Sequence, residues 1–148
     1  MVHALEEIRR LLRPHGTLID IHPVQEAPFF EVRQQGRVLF AEPEPGYDCD
    51  EDVHQADKAL ARVLKRRLFS LELRREFDFL TYGSSVQELL DFLDEASAFH
   101  EGEGIDERES AEEQVLYNRL EEQQRSAGAG VQVLMHERAR ITRLRPIG

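Results

Sequence analysis

The sequence predicts an α/β fold of four or five strands, mostly antiparallel after the first, with helices packed on the sheet. Three observations lead there. Apolar residues recur at helical spacing in several segments that end at Pro/Gly or polar stops. Residues 69–82, FSLELRREFDFLTY, instead alternate with a period of two, as a strand with one wet face does. The chain has 148 residues, 41% hydrophobic and 32% charged, a globular composition that fits a single domain over 1–148.

Val2, Leu5, Ile8, Leu11 and Leu12 make one apolar stripe, so residues 2–13 read as a helix, with Arg9, Arg10 and Arg13 at its carbonyl end. Pro14 stops it, and Gly16 is expected to supply a positive-φ turn into a short buried strand at 17–22. FFEVR and RVLF flank QQG as a hairpin, with Val38 and Phe40 opposite Phe30 and Val32. A Pro/Gly/acidic loop, EPEPGYDCDED, leads to a helix near 51–67 whose apolar side carries Val53, Ala56, Leu60, Val63 and Leu64.

Phe69, Leu71, Leu73, Phe77 and Phe79 should share one face of the strand at 69–82. Ser85 and Glu88 have capping-box spacing, which starts a helix at Val86 that runs to Ala98. HEGEGIDERES is an acidic link, and 108–125 is a polar helix with a thin stripe of Ala111, Leu116 and Leu120. After SAGAG, a last strand near 131–143 is expected to bury Val131, Val133, Met135, Ala139 and Ile141 on one face.

Charge and cysteine content exclude several function classes. A net charge of -10 argues against nucleic acid as a partner, because phosphate neutralisation requires a basic face. No apolar run approaches the ~20 residues of a membrane span, the opening MVHALEEIRR does not read as a signal peptide, and one cysteine forms no internal disulfide. A cytoplasmic chain with no membrane partner is expected. The charges are also segregated, with acidic runs at 42–57 and 101–122 and arginines in RARITRLRP.

The stretch ALEEIRRLLRPHGTLIDIHP resembles the later part of class I S-adenosylmethionine-dependent methyltransferases, in which a helix ends in a Leu-Arg/Lys-Pro-Gly-Gly turn and feeds the fifth strand of a parallel sheet. Leu12, Arg13, Pro14 and Gly16 match, and His15 replaces the first glycine. The strand-to-capped-helix passage DFLTYGSSVQELLDFL and the Arg-rich closing strand follow the same outline. The resemblance implies a truncated, Rossmann-type C-terminal half in two or three layers, whose first strand is parallel-type. It also implies a chain without the family's cofactor loop, since only a dozen residues precede the matching turn. EGEGIDE and SAGAGVQVL lack the strand–turn–helix context of such a loop, so no cofactor-binding residue carries over. S-adenosylmethionine is expected only if a partner chain completes the site.

Asp20 and His22, at the carboxyl end of the 17–22 strand, are the candidate pocket residues together with Tyr47, because open α/β sheets place ligands at that edge. Asp48, Asp50 and Asp52 imitate half a calcium loop, but Val53 stands where glycine is needed and Ala59 where a bidentate Glu is needed. Six histidines and Cys49 show no metal-ligand spacing, so no metal is expected. An exposed edge at 17–22 requires cover, which predicts a homodimer or a partner protein. The expected function is a non-catalytic methyltransferase-related interaction module. The alternatives are the substrate-side portion of a split methyltransferase and a small-molecule binder or enzyme that uses Asp20 and His22.

Overall fold

A computed structural model describes residues 1–47, 51–98 and 111–147. The calcium-like run at Asp48 and Asp50, Cys49 and the whole acidic link HEGEGIDERES lie outside the described residues. The element order is α1 (Val2–Leu11), β1 (Leu18–Pro23), β2 (Phe29–Gln34), β3 (Arg37–Pro43), α2 (Glu51–Lys65), β4 (Phe69–Gly83), α3 (Val86–Ala98), α4 (Ala111–Ala127) and β5 (Val131–Pro146). The strands form one five-stranded sheet in the order β1-β5-β2-β3, with β4 also on β5. The expected α/β class is therefore present as four helices, among the described residues, and an antiparallel sheet.

Contacts gather into two compact units. The first is Met1–Glu26, Asp48–Phe79 and Arg138–Gly148, and the second is Ala27–Tyr47 and Leu80–Glu137.

In the first unit, β1 pairs antiparallel with the C-terminal half of β5, from Leu18↔Leu144 to Pro23↔Ala139. The expected parallel-type character of this strand is not seen, because the strand beside it returns from the end of the chain in the opposite direction. The core here joins Leu5 of α1, Ala59, Leu60 and Val63 of α2, and Phe69 and Leu144 of the sheet. Gly16 does not take a positive φ, contrary to expectation. Space is the constraint instead: a Cβ at Gly16 would lie 3.0 Å from Leu12 Cδ2 and 3.1 Å from the Arg13 carbonyl oxygen. Helix α2 ends in a Schellman pattern, with Leu68 N–H donating to Val63 O and Arg67 N–H to Leu64 O, and Arg67 occupies the left-handed position at φ 55°.

Strand β4 departs from its expected burial. Phe69 is buried, but Leu71, Phe77 and Phe79 are exposed. The ion pairs account for Phe77 and Phe79, though not for Leu71, which precedes the change. Glu72 meets Arg143 and Arg145, on odd positions of β5, whereas Glu76 meets Arg138 and Arg140, on even ones. The alternation of β4 therefore changes side between Glu72 and Glu76, as an extra residue in one strand makes it do.

In the second unit, β2 pairs with β3 and with the N-terminal half of β5, from Phe29↔His136 to Gln34↔Val131. Gln35 and Gly36 both have positive φ, the signature of the two-residue hairpin turn that matches strand twist. A register shift between Val32 and Arg33 sets Phe40 opposite Val32 but Val38 opposite Arg33, so Val38 stays exposed instead of joining Phe40 on the core side. The core gathers Phe30, Val32, Val86, Leu89, Leu116, Leu120 and Val133. Ser85 caps α3 by accepting the Glu88 N–H at 3.1 Å, while the Glu88 carboxylate reaches back to the Ser84 N–H at 2.6 Å. Gly128 ends α4 at φ 80°, and the Gln34 amide donates to the carbonyl oxygens of Ala127 and Ala129.

The buried set on β5 also differs from the expected single face. Val133 and Ala139 are buried, but so are Leu134, Thr142 and Leu144 of the other parity. Adjacent Val133 and Leu134 are both fully buried, so both faces of β5 are covered there and a single buried face does not describe the strand.

Candidate functional site

Strand alternation places Asp20 and His22 on one side of β1, the side on which Leu18 packs into the core with Leu144. Their partners across the ladder, Thr142 and Arg140, share that side. Asp57 of α2 completes the group. His22 Nδ1 lies 2.7 Å from Asp20 Oδ2, and Nε2 lies 3.3 Å from Asp57 Oδ1. Arg140 donates to Asp57 Oδ1 at 2.8 Å and to Glu76 Oε1 at 3.0 Å, and Gln25 donates to Asp57 Oδ2. Arg138 joins Glu76 to Glu26 at the outer end. Burial alone would ease the proton off Arg140; Glu76 and Asp57 more than offset it and hold the guanidinium protonated beyond its ordinary range.

The arrangement has the composition of an acid–base site but the connectivity of a clamp. The His22 side chain is only 10% exposed and has a carboxylate on each ring nitrogen. A general base needs one nitrogen within reach of the proton it abstracts. Asp57 also receives Arg140, so the cluster ties α2 to β1 and β5 through charge. Thr142 Oγ1, opposite Asp20, is buried without a hydrogen-bond partner among the described residues.

The sequence placed Asp20 and His22 together, and they are together. Tyr47 belongs to the second unit, whereas Asp20 and His22 belong to the first. Asp57 and Arg140 were not foreseen. Asp57 carried a readable signal: it stands four residues after Val53 and three before Leu60, an acid on the apolar stripe of its helix.

The second unit holds a cluster that sequence reasoning also missed. Glu31, 5% exposed, accepts from Arg33 Nε at 2.6 Å, and its other oxygen lies 2.7 Å from His136 Nδ1. Burial pushes the Glu31 carboxyl up, but Arg33 and His136 outweigh it, and the carboxyl sits below its ordinary range. Glu44 and Glu137 move the other way, raised by burial, with Glu113 and Glu137 adding to the effect at Glu44. The separation in sequence between Glu31 and His136 hides this pairing until the register of β2 on β5 is known.

Surface hollows of about 290, 400 and 390 Å³ are lined by residues other than Asp20, His22 and Tyr47. Among the described residues no group of three or more His, Cys, Asp or Glu is placed to hold a metal ion, and no helix is long and apolar enough to cross a membrane. Comparison with protein-family models, curated proteins and solved structures finds no match to this chain.

Proposed function

We propose that this chain is a non-catalytic, methyltransferase-related interaction module that works as a homodimer or on a partner protein. The observation that carries this reading is the apolar exposure of the first unit's sheet. Ile19 and Ile21 of β1 are 57% and 60% exposed, and Phe77 and Phe79 of β4 are exposed as well. Contiguous apolar surface of this kind marks interaction sites. The clamped geometry of His22 favours a structural over a catalytic role for the Asp20–His22 group, so the small-molecule reading ranks last.

The methyltransferase relationship rests on the passage from α1 through Leu12, Arg13, Pro14 and Gly16 into β1, followed by the capped α3 and the arginine-rich β5. That passage also supports a second reading, the substrate-side portion of a split methyltransferase whose cofactor site a second chain completes. Calorimetric titration of S-adenosylhomocysteine into the purified chain separates the two. No heat up to millimolar ligand is expected; saturable binding would overturn the non-catalytic reading.

A further inference from the structure

The exposed face of the first unit can be assembled strand by strand. Ile19 lies opposite Arg143, Ile21 opposite Ile141 and Pro23 opposite Ala139, all on the side of the ladder away from the Leu18–Leu144 core. Glu76 of β4 joins Arg140 on the core side, so its neighbours in alternation, Phe77 and Phe79, turn to the Ile21 side. This face is basic at its margin. Glu72 serves both Arg143 and Arg145, which leaves one positive charge in excess. Arg74 and Arg75 are exposed at the slip in β4 and make no ion pair among the described residues.

The second unit offers the complementary charge. Helix α3 carries Glu88, Asp91, Asp94 and Glu95 and no basic residue, with Phe92 53% exposed among them. Glu95 lies toward the C-terminal end of the helix, where the dipole disfavours negative charge, and no basic residue of α3 stands in the last turn. A basic surface would favour that carboxylate. The same contrast holds for whole units: the first has 14 basic and 12 acidic residues, the second 5 and 17.

We infer that the chain binds a second copy of itself by seating Phe92 of α3 on the Ile19–Ile21–Phe77 face of its partner. The acidic flank of α3, Asp91 and Glu95, then meets the arginine margin at Arg74 and Arg75. An aromatic anchor on an apolar surface supplies the affinity, and the opposed charges fix the orientation. Each copy carries one knob and one face, so every copy can offer both sides of the contact. This inference rests on the interaction-module reading and specifies its partner.

Sedimentation velocity of the full chain over a wide concentration range tests it. The expected result is a reversible shift from a 17.2 kDa species toward a dimer that weakens with added salt. Phe92→Ser and the double change D91K/E95K should each weaken association by about tenfold or more, and R74E/R75E should act alike. Combining D91K/E95K with R74E/R75E in one chain should restore it, and unchanged circular dichroism controls for folding because all five side chains are exposed. A dimer indifferent to all of these variants would overturn this contact while leaving the module reading in place. A monomer at every concentration would overturn the contact and the homodimer together.

Discussion

The two units are built from similar parts and stabilised differently. Each packs two helices on its own portion of the sheet. The first unit combines an apolar core with a dense set of ion pairs around β5, in which Arg138, Arg140, Arg143 and Arg145 meet Glu26, Asp57, Glu72 and Glu76. The second relies on a larger apolar core that includes an edge-to-face pair of Phe30 and Tyr117, with ring centroids 5.8 Å apart. In sequence this unit carries twelve more acidic than basic residues. The same helix-on-sheet arrangement thus tolerates opposite charge balances, because the apolar side chains fix the packing and the charges only modulate it.

The strongest way to break this comparison is to empty one core at a time. Phe30→Ala in the second unit should cost about 3–5 kcal/mol, and Leu60→Ala in the first about 2–5 kcal/mol. Chemical denaturation measures each loss. Amide exchange shows where it falls: protection should drop mainly in β2 and α4 for the first variant and in α1 and α2 for the second. Equal loss across both units would mean that they do not behave as separate cores.

A smaller effect tests the local encoding of the second unit. Ser85→Ala removes the acceptor for the Glu88 N–H and should cost about 1 kcal/mol, read as a shift in the denaturation midpoint.

The smallest effect is in pH dependence, and its sign differs between groups. Glu44 and Glu137 have raised folded values, so the folded second unit takes up protons before the unfolded chain does. Its stability should rise as pH falls from neutral toward the ordinary carboxylate range of about 4.3. Glu6 and Glu72 in the first unit are lowered, chiefly by hydrogen bonds from Arg66 and Arg145. Their contribution is present above the unfolded value and is lost as pH falls below it through the folded one. Exchange protection, corrected for intrinsic rate, should therefore increase in the second unit on mild acidification and decline in the first only in stronger acid. Loss of protection in the second unit on mild acidification would contradict the assignment.

Much of the fold was legible in the sequence. The stripe Val53–Ala56–Leu60–Val63 identified α2, Ser85 and Glu88 marked the start of α3, and period-two alternation located β4. Burial on the long strands was not legible. The slip between Glu72 and Glu76 and the shift between Val32 and Arg33 depend on which residue each strand meets, and spacing within one strand says nothing about that. The two cores were hidden for a related reason, since both units are discontinuous in sequence. At the candidate site, Asp20 and His22 were readable because alternation alone puts them together. Asp57 and Arg140 join them only through tertiary contact, and they change the reading from a poised base to a charge clamp.

The slip in β4 also bears on how this protein avoids uncontrolled assembly. A foreign strand laid along the side of β4 that pairs with no strand among the described residues would have to match the alternation of its first half or of its second, and could not match both. Arg74 and Arg75 add a doubled positive charge at the changeover. A fifteen-residue edge with exposed Leu71, Phe77 and Phe79 would otherwise be a template for fibril growth. The misalignment divides that edge into two short stretches, each a poor seed for an ordered stack of strands.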